Sequence, residues 1–513
     1  MTKYRALALV LLIALAGCSS DSSSSDSRVS PDILLPDGSP PPPPSGADPA
    51  GLSSDSLSVQ PCGGAVLCVR AGASGGDGSA ASPFGTIGAA IAAASDGDTL
   101  QIAGGTYREN AVVSSKALAL LGGFSDDFSS RVPATNVTTV EGVGGEAAVA
   151  LIDAGKSTVE GLRITKGTGN ELEKQYFILG GGLFARGGEP QVMHNLIEGN
   201  DIISSHNNPE NQGGGVFFDG CDSVRFVGNV VRNNLSGRGA LGASNGNVHI
   251  EGNVVIDNTA EGDHGGGIYV AAASVNVVNN LVERNKVLSK DSPGGGWGAG
   301  VLIYNEGTVA TLSGNVVRDN YAAAAGSGVF IDDGAVATLS NELYANNQCA
   351  QDGGTGLYVD GADGGIGTTV RAFNVTIVNH RCNTGLKGAI YVEHDSSLTL
   401  ANAIVWGNGG NDFIVDSTSK LEVRYSIVEQ ASIQGDGVIK QDPLFAEGAS
   451  DFHLRSRAGR WDEQKGDWAT DSEDSPAIDS GDPADPVKDE SAPNGGRINM
   501  GAYGGTARAS RSQ

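Results

Sequence analysis

Short runs of alternating apolar and polar residues fill most of the chain between about residues 65 and 505. Val275 and Val277 belong to one such run, and Leu281 and Val282 belong to the run that follows it. Alternation over four or five residues is typical of strands with one buried face, and glycine or asparagine breaks each run. The pattern predicts an all-β chain of many short strands.

A pair of asparagines with four residues between them recurs along the same region. Successive pairs lie 24 to 35 residues apart, and a motif with such a period predicts a solenoid whose coils cover one another's apolar faces. Asparagine suits the bends because it tolerates the left-handed backbone region, and stacked asparagines can hydrogen-bond from coil to coil. The pairs are Asn195/Asn200, Asn229/Asn234, Asn253/Asn258, Asn280/Asn285, Asn315/Asn320, Asn341/Asn346 and Asn374/Asn379, with a slipped last copy at Asn402/Asn408.

A glycine-rich signature precedes most of these pairs, and together they resemble the repeats of the pectin lyase-like superfamily over most of residues 65–505. The resemblance implies a right-handed parallel β-helix. It selects no function, because this architecture carries lyases, hydrolases, adhesins and catalytically inert stalks. The clearest copies of the signature are GGGLF (180–184), GGGVF (213–217), GGGIY (265–269), GSGVF (326–330) and GTGLY (354–358).

The N-terminus has the layout of an export signal. Lys3 and Arg5 precede an apolar run, residues 6–16, that is too short to span a bilayer. The next step, Leu-Ala-Gly-Cys, resembles a bacterial lipobox, which implies cleavage before Cys18 and a lipid on its sulfur. An ordinary signal peptide that happens to end in cysteine is the alternative. Ser19 in place of aspartate favours the outer membrane, with the side of that membrane left open.

Composition divides the remaining chain. Serine, aspartate and proline dominate up to about residue 60, with too few apolar groups to fold, so a semi-extended tether is expected there. The other boundaries follow the repeats. The predicted parts are a signal peptide (1–17), a lipidated tether (18–60), an N-terminal cap with the first coils (61–155), the repeat body (156–430) and the C-terminal coils and cap (431–513).

Both ends of the solenoid need a cover, because an open coil exposes its core. Ser82-Pro83 is a favourable helix start, and Phe84, Ile87, Ile91 and Ala94 would share one helical face. We therefore expect a short N-terminal helix that caps the first coil. The segments 442–454, 475–483 and 499–505 resemble the closing region of bacterial surface β-helix proteins, which implies that they complete the last coils and cover that end.

The formal net charge of −26 for 513 residues argues against a nucleic-acid partner, because binding a phosphate backbone needs a basic surface. Cations and neutral or basic polymers remain compatible with this charge.

Four of the six cysteines are expected to form disulfides, since an exported chain meets an oxidising compartment. Cys62 and Cys68 are close in sequence. Cys349 and Cys382 lie at equal offsets behind their asparagine pairs, which places them in one column of adjacent coils at a spacing that suits a disulfide. Cys221 has no equivalent and is expected to be a lone thiol.

A column of aromatic residues emerges when the first strands of the repeats are aligned. Their flanking aliphatic neighbours should point inward, so the rings should point outward, where they could stack on sugar rings. In pectin lyase-like relatives, the outer face of the equivalent sheet is the polysaccharide groove. Two alternatives compete: the rings support one another under long turns, or the phase is inverted and they lie in the core. The column contains Phe184, Phe217, Tyr269, Phe330, Tyr358 and Tyr391.

Two positions further along, the last members of a second column are Asp332, Asp360 and Glu393. Stacked acids repel each other, and calcium takes several carboxylate and carbonyl oxygens, so a calcium site is one interpretation. Asp333, Asp363 and Asp395 would add oxygen ligands. Solvated turn acids are the alternative.

Two clusters could hold an acid and a base for polysaccharide cleavage. They are Glu261, Asp263 and His264 before one strand, and Glu393 and His394 after another. Neither matches a motif of the pectate lyase, polygalacturonase or alginate epimerase families. We therefore expect a non-catalytic envelope lipoprotein that binds polysaccharide or serves a structural or adhesive role. The alternative is a polysaccharide lyase or glycoside hydrolase that uses the outer face of the first sheet.

Overall fold

The computed structural model describes residues 51–512, apart from residues 172–176, 205–207, 273, 290–294, 352, 363, 384–387, 410–411, 448–450 and 464. The predicted signal, Cys18 and most of the predicted tether therefore lie outside the described residues. In the described part, the chain winds through three long parallel sheets and one short one.

The first strand of each coil follows the glycine-rich signature and belongs to sheet 1, which has eleven strands. Its strands are Ala111–Ser114, Val149–Ile152, Leu183–Arg186, Val216–Asp219, Leu241–Ser244, Ile268–Ala271, Val301–Ile303, Val329–Ile331, Leu357–Asp360, Ile390–Glu393 and Phe413–Val415.

The second strand of each coil belongs to sheet 2, which has thirteen strands. Its strands are Val66–Val69, Thr99–Ala103, Ala119–Phe124, Thr158–Glu160, Gln191–Met193, Ser223–Val227, Asn247–Glu251, Ser274–Val278, Val309–Ser313, Val336–Ser340, Thr369–Phe373, Ser397–Ala401 and Lys420–Arg424.

The third strand belongs to sheet 3, which has twelve strands, and a short sheet 4 of six strands follows it in the middle coils. Sheet 3 contains Gly105–Arg108, Thr138–Glu141, Leu162–Thr165, Leu196–Glu198, Val230–Arg232, Val254–Ile256, Leu281–Glu283, Val316–Arg318, Leu343–Ala345, Thr376–Val378, Ile404–Trp406 and Ile427–Val428. Sheet 4 contains Leu235–Ser236, Thr259–Ala260, Lys286–Val287, Tyr321–Ala322, Gln348–Cys349 and Arg381–Cys382.

Three short antiparallel pairs lie outside the coils. They are Asn170–Glu171 with Ile178–Leu179, Phe445–Glu447 with Asp451–Leu454, and Arg460–Asp462 with Asp467–Ala469.

Each strand pairs in register with its equivalent in the next coil, as in the pairing of Tyr358 with Tyr391 and of Asp360 with Glu393. Inward side chains such as Leu357 and Val359 are fully buried and join one core that runs through all the coils. The right-handed parallel β-helix that the repeats predicted is confirmed. Among the described residues, no helix is long and apolar enough to cross a membrane.

A short helix of about two turns, Ile87–Ala93, covers the start of the coil, with Ile87, Ala90 and Ile91 buried against the core. It begins later than predicted. The Thr86 side chain caps it by accepting from the Ala89 amide at 3.1 Å. Phe84 lies before the helix in extended backbone, because its amide is bonded to Cys68 in the strand Val66–Val69 and its carbonyl to Arg70 just after that strand.

Buried asparagines form two ladders along the β-helix. In the first ladder each side-chain amide donates to the side-chain oxygen of the next coil, at 2.9 to 3.1 Å from Asn195 to Asn315. The same oxygen accepts the backbone amide of the preceding asparagine, so each buried side chain satisfies its neighbour's backbone. Asn200 to Asn320 form the second ladder in the same way.

The ladders depart from the predicted pairs in the later coils. The first ladder continues to Glu342, and the second to Asn347, His380 and Asn408. The predicted pair members of these coils lie one residue earlier, in left-handed backbone with φ between 51° and 59°. These residues therefore occupy the bend before the buried ladder position, which asparagine also suits, and Asn402 still donates to the Asn374 side chain of the preceding coil at 3.5 Å. They are Asn341, Asn346, Asn374, Asn379 and Asn402.

The C-terminal segment, residues 431–512, accepts hydrogen bonds from the side chains of three of these bend asparagines. Asn341 donates to the carbonyls of Ala502 and Gly504 at 2.9 and 2.7 Å, and Asn374 and Asn402 make similar bonds to the same segment. Ile433 and Val438, which precede the three predicted cover segments, pack against the core. The rest of the segment folds back along the outer face of sheet 3, where Tyr503 and other apolar residues cover an apolar column. The expectation of an end cover alone is corrected accordingly.

Both expected disulfides are present. Cys349 pairs in register with Cys382 in sheet 4, with their Cα atoms 4.6 Å apart. Cys62 is joined to Cys68 with a Cα separation of 5.7 Å. Cys221 is a buried free thiol.

Candidate functional site

The aromatic column lies on the outer face of sheet 1, away from the coil core, so its predicted phase is correct. The predicted exposure is wrong for five of its six rings. Only Tyr391 is half-buried. The buried rings and their exposed fractions are Phe184 (1%), Phe217 (2%), Tyr269 (3%), Phe330 (3%) and Tyr358 (9%).

The glycine-rich signature itself covers the rings. Gly354 has a φ of +57° and lies so close to Tyr358 that a Cβ there would be 2.9 Å from the ring. Gly265 stands in the same relation to the ring of Tyr269, and a Cβ at Gly213 would lie 2.7 Å from the Cβ atom of Phe217. The spacing of four residues between glycine and ring is the signal in the sequence that corresponds to this cover.

The rings also support one another along the column. Phe330 stacks on Tyr358 with ring centroids 4.5 Å apart, and Tyr358 lies 5.2 Å from Tyr391. These contacts correspond to the alternative in which the rings support one another under the turns. A sugar could reach the five buried rings only if the covering turns moved away.

Other aromatic side chains do reach the surface of this face. Trp297 and Tyr304 are half-buried, like Tyr391. Tyr304 accepts a hydrogen bond from Tyr269 at 2.7 Å, and Trp297 lies 5.2 Å from the ring of His264. Trp297 precedes its strand and falls in neither aligned column, so the alignment missed it.

The first predicted acid–base cluster is built around a buried arginine. Arg238 contacts Asp263 at 2.8 Å and Glu210 at 2.8 Å, and His264 contacts Asp263 at 2.9 Å. Burial by itself would raise the pKa of Asp263, but His264 and Arg238 outweigh it and hold that pKa well below its usual range. Asp263 is thus committed to ion pairs.

The structure adds Arg238 and Glu210 to this cluster, and the sequence had not pointed to either. Glu210, Arg238 and Asp263 belong to three different repeats. The contacts among them therefore depend on turns whose lengths differ from repeat to repeat. Burial raises the pKa of Glu210, against the opposing charge of Arg238. Glu261, the third predicted member, donates its amide to the Ser236 carbonyl at 2.8 Å and so extends the backbone pairing beside sheet 4.

The second predicted cluster lies at the carboxyl end of two sheet 1 strands. Among the described residues, Asp360, Glu393 and His394 are the group whose potential ligand atoms all lie within 4.8 Å of one another. The His394 Nδ1 atom is 2.6 Å from Asp360 Oδ1. The Tyr358 hydroxyl donates to Glu393. These contacts join four polar side chains of adjacent coils.

Burial raises the pKa of Asp360 to about 6, with the charge of Glu393 adding to the effect and His394 opposing it. Burial and the bond to Glu393 raise the pKa of Tyr358 as well, so its hydroxyl remains a donor.

The predicted calcium ligand Asp332 is not part of this group. One of its oxygens instead accepts the Asp333 amide at 2.7 Å. His394 takes the third place, and the alignment had not placed it among the ligands. The column does continue one coil further to Asp416, which accepts the His394 amide at 2.9 Å. Asp363, one of the additional oxygen ligands proposed, lies outside the described residues.

The spacing of the two acids bears on hydrolysis. Glycosidases that retain configuration place two carboxyl groups about 5–5.5 Å apart, and inverting enzymes about 6.5–9.5 Å apart. Ligand oxygens of Asp360 and Glu393 lie within 4.8 Å and on the same side of the sheet. This separation is close to that of retaining enzymes and shorter than that of inverting enzymes.

Comparison with known families agrees with the architecture. The profile described as "Right handed beta helix region" matches residues 129–317 and 299–442, which is more than half of the chain. The chain belongs to this right-handed β-helix family. In this β-helix protein, both clusters fall within the matched region. A second profile, "Disaggregatase related", matches residues 428–481, where the last coil passes into the C-terminal segment.

No curated protein matches this β-helix chain. A solved structure described as "The complex structure of XylC with xylose" is 10% identical to it and superposes with a TM-score of 0.39. The superposition covers 75% of this chain and 88% of that one.

Proposed function

We propose that this protein is a non-catalytic, lipid-anchored β-helix of the outer membrane that binds a polysaccharide along the outer face of sheet 1. The anchor would be Cys18, with the Ser/Asp/Pro-rich segment as a tether that holds the coil away from the lipid. The observation that carries the binding proposal is the presence of the half-buried aromatic side chains Trp297, Tyr304 and Tyr391 on that face.

The geometry supports binding of an extended chain. Strands of neighbouring coils are about 4.8 Å apart, so side chains from several coils form a continuous surface along the axis. Aromatic rings offer flat apolar contact to the faces of sugars, and the ion pair of Arg238 with Asp263 lies beside Trp297 and His264. The net charge of −26 favours a neutral glycan over a polyuronate.

Two observations support a role without cleavage. Asp263 is held ionised by an arginine and a histidine, which makes it a poor general acid. Neither acid–base cluster matches a motif of the pectate lyase, polygalacturonase or alginate epimerase families.

Affinity electrophoresis of the purified full chain against neutral and uronic-acid polysaccharides tests the proposal. We expect retardation by at least one neutral glycan and no release of reducing or unsaturated ends. Trp297→Ala and Tyr391→Ala should each weaken binding by roughly tenfold, since a stacked ring contributes about 1 kcal/mol beyond its burial. Tyr321→Ala removes a half-buried tyrosine from sheet 4 and should leave binding unchanged.

Each other outcome contradicts a named part of the proposal. Release of unsaturated or reducing ends would establish the lyase or hydrolase alternative. Absence of binding across the panel would replace the glycan ligand with a structural or adhesive role. Equal weakening by Tyr321→Ala would place the glycan on another face. Recovery of the chain without lipid on Cys18 would remove the anchor.

A further inference from the structure

The carboxyl end of the sheet 1 strands brings together three side chains of two chemical kinds. Asp360 and Glu393 are register partners in adjacent coils, and His394 follows Glu393 directly. Their potential ligand atoms lie within 4.8 Å of one another, and the described residues contain no second group of this kind. Two carboxylates and one imidazole form a typical set of three protein ligands for a divalent transition metal.

We propose that Asp360, Glu393 and His394 bind one divalent transition-metal ion, with zinc as the preferred ion. The proposal is independent of glycan binding.

The identity of the third ligand decides between zinc and calcium. Calcium takes six to eight oxygen ligands, and the predicted third acid, Asp332, has an oxygen bonded to a backbone amide. An imidazole nitrogen instead suits zinc, nickel or copper. Three protein ligands leave at least one coordination position for water or another ligand.

Neighbouring groups hold these ligands in place. The His394 backbone is in the left-handed region, with φ +53°, and its amide donates to Asp416 at 2.9 Å. Tyr358 donates to Glu393 and orients that carboxylate, which retains a second oxygen as a possible ligand. Such outer hydrogen bonds fix the rotamers of metal ligands.

The three ligand side chains need only a small movement to bind a zinc ion. Zinc holds nitrogen and oxygen ligands at about 2.0–2.2 Å, so the ligand atoms of a tetrahedral site lie roughly 3.3 Å apart. The Nδ1 atom of His394 and Oδ1 of Asp360 are already 2.6 Å apart. Glu393 offers a ligand atom within 4.8 Å of both, so small side-chain movements would complete the set. His394 is exposed, so an ion can enter from solvent.

The site differs from two other histidine–carboxylate pairs, those of His249 and His453. His249 contacts Glu251 at 2.9 Å on the outer face of sheet 2, and this pair belongs to no group of three ligands. His453 contacts Asp451 at 2.7 Å but is 1% exposed and lies within the C-terminal segment. His249 therefore supplies a control for adventitious binding by a surface imidazole.

The test is titration of zinc and cobalt(II) into the chelator-treated full chain. We expect one zinc ion per chain by calorimetry, and a visible absorption band from cobalt(II) that zinc abolishes. His394→Asn should weaken zinc binding by at least tenfold and remove the cobalt band. His249→Asn should change neither.

Glu393→Gln provides a second variant if His394→Asn does not fold, and circular dichroism in chelator establishes folding for each. Three results would overturn the proposal: no zinc or cobalt bound, an equal loss in His249→Asn, or calcium bound in preference to zinc with an affinity that His394→Asn leaves unchanged. The last would show an all-oxygen site.

Discussion

Glu342 and His380 stand where asparagine stands in the other coils. Both are fully buried, and each still accepts a backbone amide from the neighbouring coil. Glu342 accepts the amide and side chain of Asn315 and receives a hydrogen bond from Tyr344 at 3.0 Å. A titratable side chain that replaces a neutral amide makes the stability of these coils depend on pH.

Glu342 should make the later coils less stable at alkaline pH. Burial raises its pKa from 4.5 to about 8, so the folded state binds the proton more tightly than the unfolded state does. The resulting stabilisation is complete below pH 4.5 and is lost as pH rises to 8, on the order of 4 kcal/mol. Glu342→Gln should abolish this decline in urea unfolding at pH 5, 6.5 and 8. Glu422→Gln, at an exposed glutamate, should preserve it.

His380 should make the later coils less stable at acidic pH. Burial lowers its pKa from 6.5 to about 4, so its stabilising contribution is present above pH 6.5 and is lost as pH falls through 4. His380→Asn restores the residue of the other coils and should increase the thermal stability at pH 4 by several degrees. A variant that melts at the wild-type temperature at pH 4 would contradict this reading of the ladder.

At the scale of the strand and turn, glycine and aromatic ring form one unit. The first glycine of each signature adopts a left-handed backbone, and the missing Cβ leaves room for the side chain four residues later. The turn therefore closes over the outer face of sheet 1 and buries the ring, which packs against rings of the adjacent coils.

Gly354→Ala should destabilise the β-helix more than the backbone conformation alone requires. Alanine in the left-handed region costs about 1 kcal/mol, and a Cβ 2.9 Å from Tyr358 should add roughly 1–3 kcal/mol of overpacking. Gly252→Ala is the matched control, because Gly252 has φ +61° and no atom within 4 Å of its Cβ position. Equal losses in denaturant midpoint would show that the ring contact has no role.

The repeats were sufficient to predict the coil, the outward phase of the aromatic column and the pairing of Cys349 with Cys382, because these depend only on equal offsets between adjacent strands. The burial of Tyr358 was missed because it depends on the turn, whose length varies from repeat to repeat. The repeat pattern placed Asn341 in the ladder, where the structure has Glu342, because asparagine suits both the bend and the ladder. Arg238 joined Asp263 without any sequence signal, since a spacing rule for one coil does not extend across turns of different length.

On the scale of the whole molecule, the C-terminal segment acts as a brace along sheet 3. Tyr503 stacks on His453 at 3.8 Å and belongs to the apolar cluster that includes Leu343 and Val316. The side chain of Asn341 anchors the same stretch by its bonds to the Ala502 and Gly504 carbonyls. Coils far from the end thus gain a second layer.

Tyr503→Ala should detach this brace while the coil persists. Loss of a buried aromatic side chain costs about 3 kcal/mol or more, and the loss falls on the contact between segment and sheet. Limited proteolysis should then cut within residues 442–512 first, with the strand signal in circular dichroism retained. Tyr321→Ala should show the wild-type digestion pattern.

The asparagine ladders make the height of the molecule independent of its length in residues. Successive rungs are separated by 34, 24, 27 and 35 residues, yet each rung bonds to the next at nearly the same distance. Extra residues are accommodated sideways, in turns that project from the axis. Insertions at these turns would therefore alter what the surface presents without changing the reach of the rod, whereas only the gain or loss of a whole coil would change its reach.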